Sequence, residues 1–527
     1  MSLRVTVYLT WLLLVPTACD DSTETTAMRD ASRPTDGETA MQSSGVRSIS
    51  GDEAVATLLP RSEVSVPFGA ADRLRKPIDL SASGYLEEEF VVRGTARVYD
   101  WPATGPATAR PEPAPYATRV LVRRPSDAAK FSGRVVVELL NPTNRFDLQI
   151  GWSLSYDQLM REGDAWVGIT SKPIAVAALK TFDPERYAAL AWNNPLPESD
   201  PRNCMPASAD STQATENGLI WDIFRQVGAL ARRDSTENLL GGLRAKRVYG
   251  FGYSQTGSFL GTYVSAFHPS DVQQRGAPLF DGYVIGTAAG ATAINQCTMA
   301  PPAGDPRIVL RNVGVPVFRI MTQSDYRAVT MPLEDGDTRE HAYRYYEIAG
   351  AGHATPMELD YGGPSEADLL RAAVPLPATQ CTPPGLSDPQ PRSRFPLGMI
   401  FNAVWQNLDR WVTTGELPPK APLIARGDDA LDTHGNVLGG VRTPLVDVPT
   451  STWFGNAGER ATSLICYLAG YEAPFDAEKL RSLYPTHDDY VTKVTASVDA
   501  LVEQRFLTSF DGERIVSEAK LAAVPPR

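Results

Sequence analysis

The chain has 527 residues, 43% of them hydrophobic and 21% charged, which is an ordinary globular composition with enough apolar material for a sizeable core. Its formal net charge is −12, and its basic residues gather into nothing longer than pairs such as Arg123-Arg124 and Arg232-Arg233. That balance argues against a nucleic-acid partner, since phosphate binding depends on a basic face.

Met1–Arg4 carries one positive charge, Val5–Val15 is an apolar run too short to anchor in a bilayer, and Pro16-Thr17-Ala18 leads to Cys19. Residues 1–18 therefore read as an export signal. A small residue before a cysteine resembles a bacterial lipoprotein signal, in which a lipid on Cys19 would attach the protein to a membrane. Pro16 stands where that signal usually has an aliphatic residue, so simple secretion is the alternative. Residues 19–60 read as a flexible tether, because Asp20–Ser50 is too poor in large apolar side chains to offset its ordering entropy. The folded body is expected over residues 61–527. Beyond Cys19 the chain has Cys204, Cys297, Cys381 and Cys466, without CxxC or Cys/His metal spacing. An even number in an exported chain predicts two disulfides, with three pairings open. No metal or other cofactor is expected.

The body opens with a β-like pattern. Phe90–Val92 and Ala96–Tyr99 flank Arg93-Gly94-Thr95 as a predicted hairpin, and Gly105–Pro115 reads as a turn region. Ala117–Arg123 and Arg134–Leu140 are the next strands, the second apolar enough for a sheet interior provided Glu138 finds a partner. A helix over Gly151–Gly163 and a strand over Asp164–Thr170 follow. Residues 171–215 are too long and Pro-rich for a simple connection and read as a lid or pocket segment. Glu216–Arg232 then carries a helical stripe of Leu219, Ile223, Val227 and Leu230.

Lys246–Gly257 changes from strand to helix through Gly252-Tyr253-Ser254-Gln255-Thr256-Gly257. This is the layout of a nucleophile elbow with Ser254 at its apex, except that the second glycine comes one residue late and Thr256 takes its usual place. Short apolar strands follow at Gly282–Gly286, Val315–Thr322 and Tyr343–Ile348, so the alternation predicts a mainly parallel sheet covered on both faces. Residues 354–394 form a second pocket-like insertion, Phe401, Trp405, Leu408 and Val412 mark a helix, and residues 421–527 form a largely helical C-terminal extension.

Asp325 lies just beyond one of these strands and His353, in Ala349-Gly350-Ala351-Gly352-His353, just beyond the next. Nucleophile, acid and base thus occur in the order Ser254, Asp325, His353, with Glu334, Asp335 and Asp337 as rival acids. His353 would take the Ser254 proton and Asp325 would orient the imidazole. Of the other histidines, His487 precedes Asp488-Asp489, which read as a charged helix surface rather than a metal site. The oxyanion donors are expected to be the backbone amide of Gln255 and that of Asn141 or Thr143, with Asn141 favoured; Pro142 has no amide hydrogen.

Glu138-Leu139-Leu140-Asn141-Pro142, Gly168-Ile169-Thr170-Ser171-Lys172, Phe182-Asp183-Pro184-Glu185-Arg186-Tyr187, Gly218-Leu219-Ile220-Trp221-Asp222, Gly252-Tyr253-Ser254-Gln255, Ala351-Gly352-His353 and Cys466-Tyr467-Leu468-Ala469-Gly470 together resemble the bacterial "alpha/beta hydrolase domain-containing" family of exported, often lipoprotein, proteins. Ser254-Gln255 is also similar to the cutinase elbow. The resemblance implies an α/β-hydrolase fold and a serine hydrolase. With the residue pattern, it leads us to expect an extracytoplasmic esterase acting on a small-molecule ester. An amidase or peptidase with the same triad is one alternative, and a non-catalytic ligand-binding lipoprotein the other.

Overall fold

The computed structural model describes residues 53–206, 210–235, 238–310, 313–329, 332–382, 390–427, 430–456 and 464–526, so the export signal, Cys19 and most of the tether lie outside the described residues. The main sheet is built from β1 (Val55–Leu58), β2 (Tyr85–Asp100), β3 (Thr108–Pro125), β4 (Arg134–Leu139), β5 (Ala165–Ile169), β6 (Arg247–Tyr253), β7 (Gly282–Gly286), β8 (Val317–Thr322), β9 (Gly336–Asp337) and β10 (Ala342–Ile348). Their spatial order is β1-β2-β3-β5-β4-β6-β7-β8-β10-β9. The run from β5 through β10 is parallel, while β1, β2 and β3 on one edge and β9 on the other pair antiparallel.

The hairpin expected at Arg93-Gly94-Thr95 is corrected, because β2 passes straight through it and the chain reverses only between Asp100 and Thr108. Gly94 is a packing residue rather than a turn residue. A Cβ there would lie 2.3 Å from Gln226 Oε1 and 2.8 Å from the Tyr116 hydroxyl. The prolines that suggested a turn at 105–115 sit inside β3 at alternate positions, 111, 113 and 115. Ala117, which shares their parity, sends its N–H away from β2 to Ala191 O at 2.9 Å. The missing proline N–H groups therefore fall on the side where β2 needs no donor.

Six helices precede or flank the site: α1 (Ile150–Glu162), α2 (Pro173–Phe182), α3 (Ile220–Arg232), α4 (Gln255–Ala266), α5 (His268–Arg275) and α6 (Pro356–Gly362). They are followed by α7 (Glu366–Arg371) and α8 (Leu397–Thr414). Side-chain alternation along β6 assigns the faces. Phe251 meets Phe401 and Trp405 of α8 at ring-centroid distances of 6.0 and 5.7 Å. Gly250 turns to the opposite face, where Phe224 of α3 approaches its Cβ position to 3.3 Å. The two insertions carry α2 and the α6–α7 pair, and each is stapled: Cys204 to Cys297, and Cys381 to Cys466. These bonds resolve the three pairings left open by the sequence.

Glu138, in the middle of β4, has the partners its burial demands. Its carboxylate accepts the N–H groups of Gly151 at 2.7 Å and Trp152 at 3.0 Å and the Trp166 indole N–H at 2.8 Å. Gly151 and Trp152 begin α1, so the carboxylate caps that helix from inside the sheet. Burial nevertheless pushes its pKa up to about 7 against those hydrogen bonds. Glu138→Ala would strand three buried donors, each costing about 1–3 kcal/mol. We expect it to lower the unfolding free energy by more than about 3 kcal/mol, read from the midpoint of chemical denaturation.

Candidate active site

Ser254 is the single residue between β6 and α4, with φ 57° and ψ −120°, a backbone state rare for anything but glycine. Three contacts impose it. The Ser254 N–H donates to Gly286 O at 2.8 Å, tying the corner to the end of β7. A Cβ at Gly252 would come within 2.2 Å of Thr256 O, so only glycine fits two residues before the serine. Thr256, the departure from the usual elbow, spans the turn with its hydroxyl, which lies 3.2 Å from the Tyr253 N–H and 3.1 Å from the Tyr253 carbonyl. The close approach normally served by a glycine at that position is met one residue on. A Cβ at Gly257 would lie 2.7 Å from Gly286 O and 2.8 Å from the Ala288 Cβ.

Asp325 ends the turn after β8, and its Oδ1 is 2.8 Å from His353 Nδ1. Its other carboxylate oxygen accepts the Thr322 hydroxyl. Two of the rival acids are occupied elsewhere: Asp335 accepts the Tyr345 N–H at 2.8 Å, and Asp337 pairs with Arg344 and Lys420. The histidine loop is held from two sides. Tyr253, next to Ser254, donates its hydroxyl to His353 O at 2.7 Å. From the C-terminal extension, Leu468 O accepts the His353 N–H at 2.9 Å, while the Ser324 hydroxyl, 3.0 Å from that N–H, also bonds Leu468 O. A Cβ at Gly352 would come within 2.4 Å of Ala469 O. With Nδ1 given to Asp325, Nε2 is the ring nitrogen left for chemistry.

Burial disfavours the charged imidazole of His353, but the Asp325 carboxylate, with a smaller contribution from Glu358, outweighs it and holds the pKa above the ordinary value of 6.5. Glu358 is itself buried, which pushes it up to about 7, and its carboxylate accepts the Thr355 N–H at 2.8 Å in the first turn of α6.

A serine at a strained strand–helix corner and a His–Asp pair held against the preceding tyrosine lie just beyond the ends of the parallel strands β6, β8 and β10. The sequence model for an alpha/beta hydrolase domain matches residues 51–517. The chain belongs to this alpha/beta hydrolase domain family. Solved structures similar to this hydrolase include a poly(3-hydroxybutyrate) depolymerase from Bordetella parapertussis, 14% identical, covering 57% of this chain and 97% of that one at a TM-score of 0.28. A glucuronoyl esterase from Teredinibacter turnerae is 13% identical, covering 59% and 80% at 0.28. A fungal esterase from Rhizomucor miehei is 8% identical, covering 56% and 88% at 0.28. No curated protein matches the chain.

The oxyanion donors divide. Gln255 opens α4, where first-turn N–H groups have no intrahelical acceptor. Asn141 is corrected as a donor, because its backbone N–H goes to Leu148 O at 2.9 Å and its side-chain amide to Tyr253 O at 2.8 Å. Thr143, the other candidate, gives its N–H to Asn141 Oδ1 at 2.9 Å. The Asn141 side chain instead braces the β4 loop against the elbow. In this loop the N–H groups of Asn144, Phe146 and Asp147 have no acceptor among the described residues. Sequence reading also missed Tyr253 and the Leu468–Gly470 segment as supports of the histidine, although both stand inside the motifs that carried the family resemblance.

Two results are expected in this hydrolase. The acidic limb of kcat/KM should titrate above 6.5, because only the neutral imidazole accepts a proton. Asp325→Asn should bring that limb below 6.5, since burial then outweighs the small remaining pull of Glu358, and cut kcat by about 10⁴-fold. Steady-state pH profiles of the two proteins check both. Replacing Cys381 and Cys466 together by serine opens a cross-link over 85 residues, a change worth about 4 kcal/mol in the chain-entropy model. It should lower Tm and, because the same segment holds His353, reduce kcat more than it raises KM.

Proposed function

We propose that this hydrolase is an extracytoplasmic serine esterase that cleaves carboxylic esters through an acyl-enzyme on Ser254. The observation that carries the reading is the 2.8 Å bond between His353 and Asp325 beside a serine in a strained corner, with Tyr253 bridging the two loops. In this mechanism Ser254 Oγ attacks the ester carbonyl carbon as its proton passes to His353 Nε2. The Gln255 N–H meets the developing oxyanion, with an uncommitted N–H of the loop after β4 as the second donor. The intermediate collapses as the His353 proton passes to the leaving alcohol. Water, deprotonated by His353, then attacks the acyl carbon and releases the carboxylic acid and free Ser254. The two disulfides suit an oxidising compartment, which agrees with the export signal read from residues 1–18 and with a lipid on Cys19.

A fluorophosphonate probe and an alkyl ester test this directly. Wild type should label and turn over; Ser254→Ala should lose labelling and at least about 10³-fold in kcat while keeping its circular dichroism spectrum. Labelling that survives in Ser254→Ala removes Ser254 as nucleophile, and a wild type that neither labels nor turns over is a binding protein. Matched amides, run in parallel, should turn over more slowly than the esters.

A further inference from the structure

A cavity of about 190 Å³ adjoins the elbow. Part of its lining leaves the carboxyl ends of nearby strands: Lys172 after β5, Gln255 after β6, and Thr292 and Gln296 after β7. That is the sheet edge on which Ser254 stands and along which open α/β sheets take their ligands. The lining is mainly apolar, and Trp221 and Phe259 form one side of it, their rings 6.0 Å apart. The Trp221 indole N–H is already given to Ile294 O at 2.6 Å, so that ring has no donor left for an occupant. The walls are braced by the Cys204–Cys297 disulfide and by the buried Glu216 carboxylate, which accepts the N–H of Gly218 at 2.8 Å and that of Gln296 at 3.1 Å.

Lys172 is the one charged residue in that lining. It is only 8% exposed, and no hydrogen bond or ion pair joins its side chain to a described residue. Lysine is seldom buried without a partner, because an ammonium taken out of water is costly until an opposite charge meets it. Asp210 is the one carboxylate that acts on it, and that group lies 3.5 Å from the Arg145 guanidinium. Desolvation accordingly lowers the pKa of Lys172, and Asp210 offsets only part of the shift. The cavity thus holds a buried cation with its counter-charge missing.

We propose that this cavity takes a free carboxylate, carried on a short hydrocarbon arm of the ester substrate and paired with Lys172, a statement that rests on Ser254 being the nucleophile. Charge and lining select the occupant together. A cation is repelled by the ammonium, and a neutral chain covers the apolar wall but leaves the ammonium unpaired. A phosphate group brings a second charge that finds one cation in a mainly apolar shell. A carboxylate on methylene groups answers both features, its single charge on Lys172 and its carbon on the Trp221 and Phe259 rings. Size agrees, because the cavity is smaller than the roughly 300–1,000 Å³ that encloses a whole drug-sized ligand. It takes one arm while the ester bond lies at Ser254. Half-esters of dicarboxylic acids and acyl esters of hydroxy acids share this chemistry, the carboxylate lying on the acyl side in the first and on the alcohol side in the second.

Matched esters test the subsite and tell the two sides apart. Monoethyl esters of succinic, glutaric and adipic acids are compared with the ethyl keto-esters of equal length, in which a methyl ketone replaces the carboxylate. Acetyl esters of glycolic acid and its longer homologues with a terminal hydroxyl are compared with the matching acetoxy ketones. In at least one pair kcat/KM should favour the carboxylate by about 10-fold or more. Lys172→Met should cut that ratio by about 10-fold, and Lys172→Arg, which keeps the charge, should retain a preference. The ratio is taken within each variant, so a general loss of activity cancels, and Tm reports folding; Lys172→Gln replaces the methionine variant should that one not fold. Ratios near or below one in every pair, or a ratio that the folded Met or Gln variant leaves in place, overturn the subsite while the esterase reading stands. No turnover of any ester and no labelling of Ser254 take both down.

Discussion

The strained backbone of Ser254 is the constraint on which the rest of the site depends. A conformation of this kind costs about 1–3 kcal/mol and persists only where its surroundings over-determine it. Here β7 holds the serine N–H through Gly286, Gly252 leaves room for the returning helix, Gly257 lets that helix close on β7, and Thr256 bonds both backbone groups of Tyr253. None of these contacts is local to the serine side chain. They pass the strain into the interior of a parallel sheet, where β6 is flanked by β4 and β7 and covered by aromatic side chains of α8. The serine hydroxyl is then free of structural duties.

The proposed base is built differently. His353 sits in a glycine-containing loop with little stiffness of its own, and its position is borrowed from Tyr253 on one side and from Leu468 and Ser324 on the other. The C-terminal extension therefore helps to hold the proposed base, and the Cys381–Cys466 disulfide sits at its root. The elbow and the histidine loop share Tyr253, so a shift in one is felt by the other. A nucleophile and base that must meet within hydrogen-bond reach gain from that common anchor.

Beside the elbow, the first insertion helps to wall a small, mainly apolar cavity. Its supports are a disulfide, a buried carboxylate and an indole N–H, all of which order the walls.

Much of this was legible in the chain itself. Apolar runs marked β4, β5, β6, β7, β8 and β10 because strands buried on both faces must be nearly continuously apolar, and the order serine, aspartate, histidine could be read because each follows such a strand. Glycine and proline misled at 93–95 and 111–115, where Gly94 admits two side chains and the prolines face away from β2, circumstances that only packing creates. The same holds for Asn141, whose donors were free in the sequence and are spent on Leu148 and Tyr253 in the fold. Residue type and spacing determined which groups could do chemistry. Which of them remained uncommitted was decided by contacts between segments distant in the chain, such as that of the Asn141 side chain with Tyr253, because hydrogen-bond satisfaction is a property of the assembled interior.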